Sequence, residues 1–94
     1  MISIYCKTFD GSKKVGEFIC KANSVEKNEW LLRNECEEDS WIIETNCEKS
    51  PNAMVYSIGN SVVVIEVDDE CASKVIEPLM EKYGFENVKW LLSK

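Results

Sequence analysis

Hydrophobic residues along this chain follow two rhythms, and the stretch where neither holds organises the rest. From Ser61 to Val67 (SVVVIEV), five of the seven residues are Val or Ile, side chains that suit a pleated, packed surface better than a helix. Val63, Ile65 and Val67 point to one face and Val62 and Val64 to the other, so both faces are expected to be covered, as in a central strand. Period-two alternation marks Ile2 to Thr8, with Ile2, Ile4 and Cys6 on one face. Asp10-Gly11 then reads as a turn, and Lys14 to Lys21 as the returning strand of a hairpin, with Phe18 and Cys20 on one face and Val15 and Ile19 on the other. Shorter strands are expected at Trp41 to Thr45, Met54 to Ile58 and Asn87 to Leu92, with Gly59-Asn60 as a two-residue turn before SVVVIEV.

The second rhythm is helical. Asn23 or Ser24 is placed to cap a helix, and Glu26 stands at capping-box spacing from Asn23. The first helix is predicted over Val25 to Glu37: at about 100° per residue, Val25, Leu31, Leu32 and Cys36 gather on one side and Trp30 lies nearly opposite. A competing pattern pairs Trp30-Leu31-Leu32 as a strand with Trp41-Ile42-Ile43 across a long turn; the helix is the preferred reading. A second helix is predicted from Asp68 or Asp69, whose carboxylates suit the positive end of the helix dipole. Ala72, Val75, Ile76, Leu79, Met80 and Tyr83 form its apolar stripe, Gly84 its C-cap, and Pro78 predicts a kink near Lys74 to Pro78.

Together these elements predict an α+β fold. The 94 residues form a single two-layer domain of two strand-turn-strand-helix-strand (ββαβ) units, 1–46 and 53–94, joined by a turn-rich linker at 47–52. The units share a mixed sheet on which both helices pack. Helix starts about 45 residues apart suggest a structural duplication, although residue identity between the halves is negligible. No family motif is carried by these residues.

Charge changes the picture more than composition does. Eleven basic against seventeen acidic residues give a net charge of −6, which opposes direct binding to nucleic acid or to anionic membrane. The imbalance is local. Residues 22–48 hold two basic and eight acidic residues, whereas residues 1–21 hold four lysines against Asp10 and Glu17. No apolar run approaches the length of a membrane span, and the amino-terminal residues carry no signal-peptide pattern, so a cytoplasmic location is expected. The five cysteines include no CxxC pair and are expected to be free thiols in such a compartment.

Candidate chemistry is sparse. The chain has no histidine, which removes Cys-His and Ser-His nucleophile pairs and every His-ligated zinc site. Cysteine intervals of 14, 16, 11 and 24 lack the close pairs of a zinc knuckle, so no metal is expected. Cys71 lies near a helix start, but Asp68, Asp69 and Glu70 would raise its pKa, not lower it. Carboxylates at Glu66, Asp68, Asp69 and Glu70 lack the glycine and ligand alternation of a calcium loop. The isolated glycines form no phosphate loop, and no cofactor is expected.

The resulting expectation is a small, acidic, non-enzymatic protein-binding module. It is read as an inhibitor or immunity-type protein that masks a basic site on another protein, its carboxylates standing in for phosphates if that site is a nucleic-acid groove. Trp30 would be the aromatic anchor, with Glu26, Asn34, Glu37, Glu38 and Asp39 around it. The alternative is a structural subunit that assembles into a homo-oligomer through edge strands. A cysteine-dependent thiol enzyme ranks third.

Overall fold

The apolar stretches pair into one sheet. The computed structural model describes residues 1–24, 30–35, 39–45 and 52–92. In chain order the elements are β1 (Ile2–Lys7), α1 (Gly11–Asn23), β2 (Leu31–Asn34), β3 (Ser40–Glu44), β4 (Asn52–Ile58), β5 (Val62–Val67), α2 (Ala72–Tyr83) and β6 (Val88–Leu92). Short 3-10 turns at Asp69–Cys71 and Phe85–Asn87 flank α2. The strands lie in the order β2-β3-β4-β5-β1-β6, and every neighbouring pair is antiparallel. The fold is α+β with two helices against one sheet, as the patterning predicts, but the sheet is antiparallel and not mixed.

The SVVVIEV stretch is central. β5 lies between β4 and β1, and Val63, Ile65 and Val67 are buried in the core beneath the helices. Val64 points the other way and is buried too, because the register sets it between Tyr5 on β1 and Tyr56 on β4. Three residues, not two, connect β4 to β5: Ile58 pairs with Val62, leaving Gly59, Asn60 and Ser61 in the turn, with Gly59 at φ 61°.

The hairpin expected at the start of the chain is a strand followed by a helix. Residues 14–21 were expected as a returning strand, yet they lie within α1. Its buried positions are Ser12, Val15, Gly16, Ile19 and Cys20, a spacing of i, i+3, i+4, i+7 and i+8 that forms one helical stripe. Val15 and Ile19 satisfy both rhythms, but Ser12 and Gly16, which look polar or neutral, complete the helical one. Asp10-Gly11 is therefore a helix entry and not a hairpin turn. Ser12 ties this entry to the sheet. Its amide donates to Ser57 Oγ at 3.2 Å, and its hydroxyl donates to the Asp39 carbonyl at 3.0 Å.

The helix expected over 25–37 is corrected as well. Residues 31–34 form β2, paired with β3 so that Leu32 faces Ile43 and Asn34 faces Trp41; residues 25–29 and 36–38 lie outside the described residues. This is the strand pairing that competed with the helix, shifted in register. The halves thus differ in order: strand-helix-strand-strand in the first, strand-turn-strand-helix-strand in the second. The helices begin at Gly11 and Ala72, not 45 residues apart. The linker at 47–52 lies outside the described residues except for Asn52, which opens β4.

Helix α2 runs as its stripe predicts, with Ala72, Val75, Ile76 and Leu79 buried and Met80 and Tyr83 packed at the margin of the core. It passes through Pro78. A proline inside a helix leaves the carbonyl four residues earlier without its amide donor, here the Lys74 carbonyl. Asn23, at the end of α1, donates its Nδ2 to that carbonyl at 2.9 Å and to its own helix at Ile19 O at 3.0 Å. An amide NH₂ carries two donors, so one side chain fills the gap left by Pro78 and joins the two helices.

Candidate interaction edge

The last strand of the sheet leaves four of its five residues exposed. β6 pairs only with β1 and ends the sheet. The turn that delivers the chain to it is firmly held: Gly84, at φ 97°, donates its amide to the Met80 carbonyl at 3.0 Å. Asn87 then returns to Tyr83 O through Nδ2 at 2.7 Å and to Gly84 O through its amide at 3.1 Å. This fixed turn holds Phe85 out into solvent at 71% exposure.

From there the register alternates. Val88, Trp90 and Leu92 sit opposite Cys6, Ile4 and Ile2 on the helix face, while Lys89 and Leu91 sit opposite Tyr5 and Ser3 on the open face. Of these five residues only Val88 is buried; Trp90 is 43%, Leu91 64% and Leu92 74% exposed. A shallow groove of about 400 Å³ runs along Phe85, Glu86, Val88, Lys89, Trp90 and Leu91. An edge strand has backbone N–H and C=O groups directed outward with no strand to accept them, and such edges are ordinarily protected by charge, proline or a bulge. β6 carries only Lys89 of these devices.

The anchor expected from the sequence is elsewhere. Trp30 is 3% exposed and belongs to the hydrophobic core, against which Leu32, two residues on in the extended segment, is packed. Its backbone is clasped by Ser24, whose hydroxyl accepts from Trp30 N and donates to Trp30 O, each at 3.2 Å. Asn34 and Asp39 are exposed at the other end of the β2–β3 pair, about 13 Å along the strand from Trp30. Asn34 Nδ2 donates to Ser40 O at 3.3 Å. Glu26, Glu37 and Glu38 lie outside the described residues. Of the expected patch, the described residues Asn34 and Asp39 thus do not lie beside Trp30. Phe85, Trp90, Leu91 and Leu92 were missed because an edge is defined by strand order, which no local pattern in the sequence encodes.

Cys6 and Cys20 are held away from the thiolate form. Burial raises Cys6 from the ordinary value near 9 to about 11, helped by Asp10, and raises Cys20 to about 11, helped by Glu17. A nucleophilic cysteine needs the thiolate. Cys71 is disulfide-bonded, which corrects the expectation of five free thiols; Cys6 and Cys20 are free. Cys20 also lines a larger hollow, about 670 Å³, between α1 and Leu31-Leu32. At one end of that hollow Lys82 lies over the Phe18 ring at 4.4 Å, and Tyr83 donates to Asp10 Oδ2 at 2.9 Å. Burial, followed by that bond, raises the Tyr83 pKa.

Among the described residues no three His, Cys, Asp or Glu side chains are grouped to hold a metal ion, and no helix is long and apolar enough to cross a membrane. Fold and edge together define an α+β protein in which, among the described residues, the apolar edge strand β6 is largely exposed. Comparison with family models, curated proteins and solved structures finds no match to this chain.

Proposed function

We propose that this protein is a non-enzymatic protein-binding module that works by strand addition, taking an extended segment of a partner onto the β6 edge. The observation that carries this reading is a fixed edge strand whose Trp90, Leu91 and Leu92 are exposed beside an apolar groove. In this mode backbone hydrogen bonds supply affinity, and pockets for alternate side chains supply specificity. Trp is among the residues that most often dominate binding energy, so Trp90 takes the anchor role that the sequence had suggested for Trp30. Two free thiols held protonated weigh against a thiol enzyme. The net charge of −6 keeps a basic partner surface favourable, although the contact itself is apolar. The disulfide at Cys71 removes the argument from free thiols for a cytoplasmic location, since such bonds persist in oxidising compartments.

A photo-reactive amino acid at position 91 tests the reading, with position 31 on the opposite edge as control, in cells that make the protein. Position 91 is expected to give a discrete crosslinked product whose attachment site maps to an extended segment. Crosslinking from position 31 alone, or from neither, would overturn strand addition at β6.

A further inference from the structure

Resting on the strand-addition reading, we infer that the segment added at β6 is β6 of a second copy, running antiparallel across a two-fold axis at Trp90. The register of the strand argues this. Even-numbered residues of β6 face the helices and odd-numbered ones face away, and a two-fold axis normal to the sheet preserves that assignment. Facing residues must therefore have the same parity, which restricts the symmetric pairings to three. A pairing centred on Lys89 sets two ammonium groups against each other, and like charges directly opposite are destabilising. A pairing centred on Leu91 overlaps only Trp90 to Leu92. A pairing centred on Trp90 uses the whole of Val88–Leu92. It places Trp90 against Trp90 of the second copy, Val88 against Leu92, and Lys89 against Leu91, whose surface the aliphatic stem of the lysine can cover.

Charge and area agree with this pairing. No acidic residue lies within Val88–Leu92, so the negative charge of the two chains is not concentrated at the junction. The exposed parts of Trp90, Leu91 and Leu92 amount to roughly 350 Å² per copy for side chains of ordinary size, so two copies cover at most about 700 Å² of side-chain surface beside the new backbone ladder, the small end of the interface range. Joining β6 of one copy to β2 of the next would instead be a head-to-tail contact that does not close on itself, and it would set Lys89 on a strand that carries Arg33. The symmetric pairing closes after two copies and makes one antiparallel sheet of twelve strands with all four helices on one face.

Light scattering behind a sizing column, at micromolar concentration, is expected to give twice the 10.8 kDa chain mass. Trp90→Lys and Trp90→Glu should each run as folded monomers with the wild-type circular dichroism spectrum, because each places like charges together at the axis. Mixing the two variants should restore the double mass, an outcome that only a self-facing position 90 produces. A monomeric wild type, or a mixture that stays monomeric, would overturn the second-copy inference. If position 91 nonetheless crosslinks to another protein, strand addition stands and only the identity of the added strand is wrong. A wild-type dimer indifferent to Trp90→Lys would count against both.

Discussion

The two edges of the sheet end in strands of similar length but different character: two of the four residues of β2 are apolar, against four of the five of β6. β2 is pinned from within. Trp30, just before it, is in the core, and a Cβ built on Gly16 of α1 would stand 2.6 Å from Leu32 Cδ1, so helix and strand approach as closely as a glycine allows. Its outward face carries Arg33, which pairs with Glu44 at 2.8 Å and reaches Glu35 at 4.0 Å. Exposed pairs of this kind add little stability, but charge on an edge discourages pairing with other chains. β6 is less protected: Lys89 is its one charged residue, Trp90, Leu91 and Leu92 are large, apolar and exposed, and Val88 alone reaches the core. α1 lies over β2 to β5, whereas α2 contacts β1 and β6 and leaves Trp90 to Leu92 uncovered.

The comparison requires that β6 be dispensable for stability, and the largest expected contrast tests this. Ile65 is fully buried on the central strand, so Ile65→Ala should cost roughly 2–5 kcal/mol. Leu91→Ser, at an exposed edge position, should stay within about 0.5 kcal/mol. Comparable losses in urea melts would mean that β6 is part of the folding core and not a free edge.

Alkaline unfolding probes the side of the sheet next to β6. Cys6, opposite Val88, and Cys20 hold their protons up to about pH 11, where an unfolded chain would release them near pH 9. Tyr83, before the turn into β6, is shifted in the same direction. The unfolded state loses protons first, so this stabilisation is complete below pH 9 and declines as the pH rises toward 11, by about 2–3 kcal/mol for each thiol. Cys6→Ala should shrink the decline. A stability that is flat between pH 9 and 11 would contradict the burial of these thiols.

A smaller effect is expected where the helices meet, the contact that holds α2 on its own side of the sheet. Asn23→Ala should cost about 1 kcal/mol, the usual net worth of a hydrogen bond. The loss should shrink in a Pro78→Ala background, where the restored amide can serve the Lys74 carbonyl. Equal losses in both backgrounds would show that Asn23 does not compensate for the proline.

What the sequence revealed depends on whether local pattern or distant context decides an element. SVVVIEV was legible as a central strand because burial on both faces leaves a run of β-branched residues whatever its neighbours are. The stripe from Ala72 to Tyr83 was legible because about three turns repeat it. Residues 11–23 were misread because Val15, Ile19 and Cys20 fit both periods, and the deciding positions, Ser12 and Gly16, are buried without being hydrophobic. Trp30 was misplaced for a related reason: the residues that cover it come from α1 and the sheet. The interaction edge was invisible because Trp90-Leu91-Leu92 would read the same on an inner strand. Strand order, set by long-range pairing, is what exposes it.

Hydrogen exchange of the backbone amides tests the central claim most directly, since it reads both edges in one sample. With rising protein concentration, outward-facing amides within Val88–Leu92 should become protected while those of Leu31–Asn34 exchange at an unchanged rate. Protection that grows at Leu31–Asn34 and not at Val88–Leu92 would contradict the account, because the closed edge would then be the one that binds.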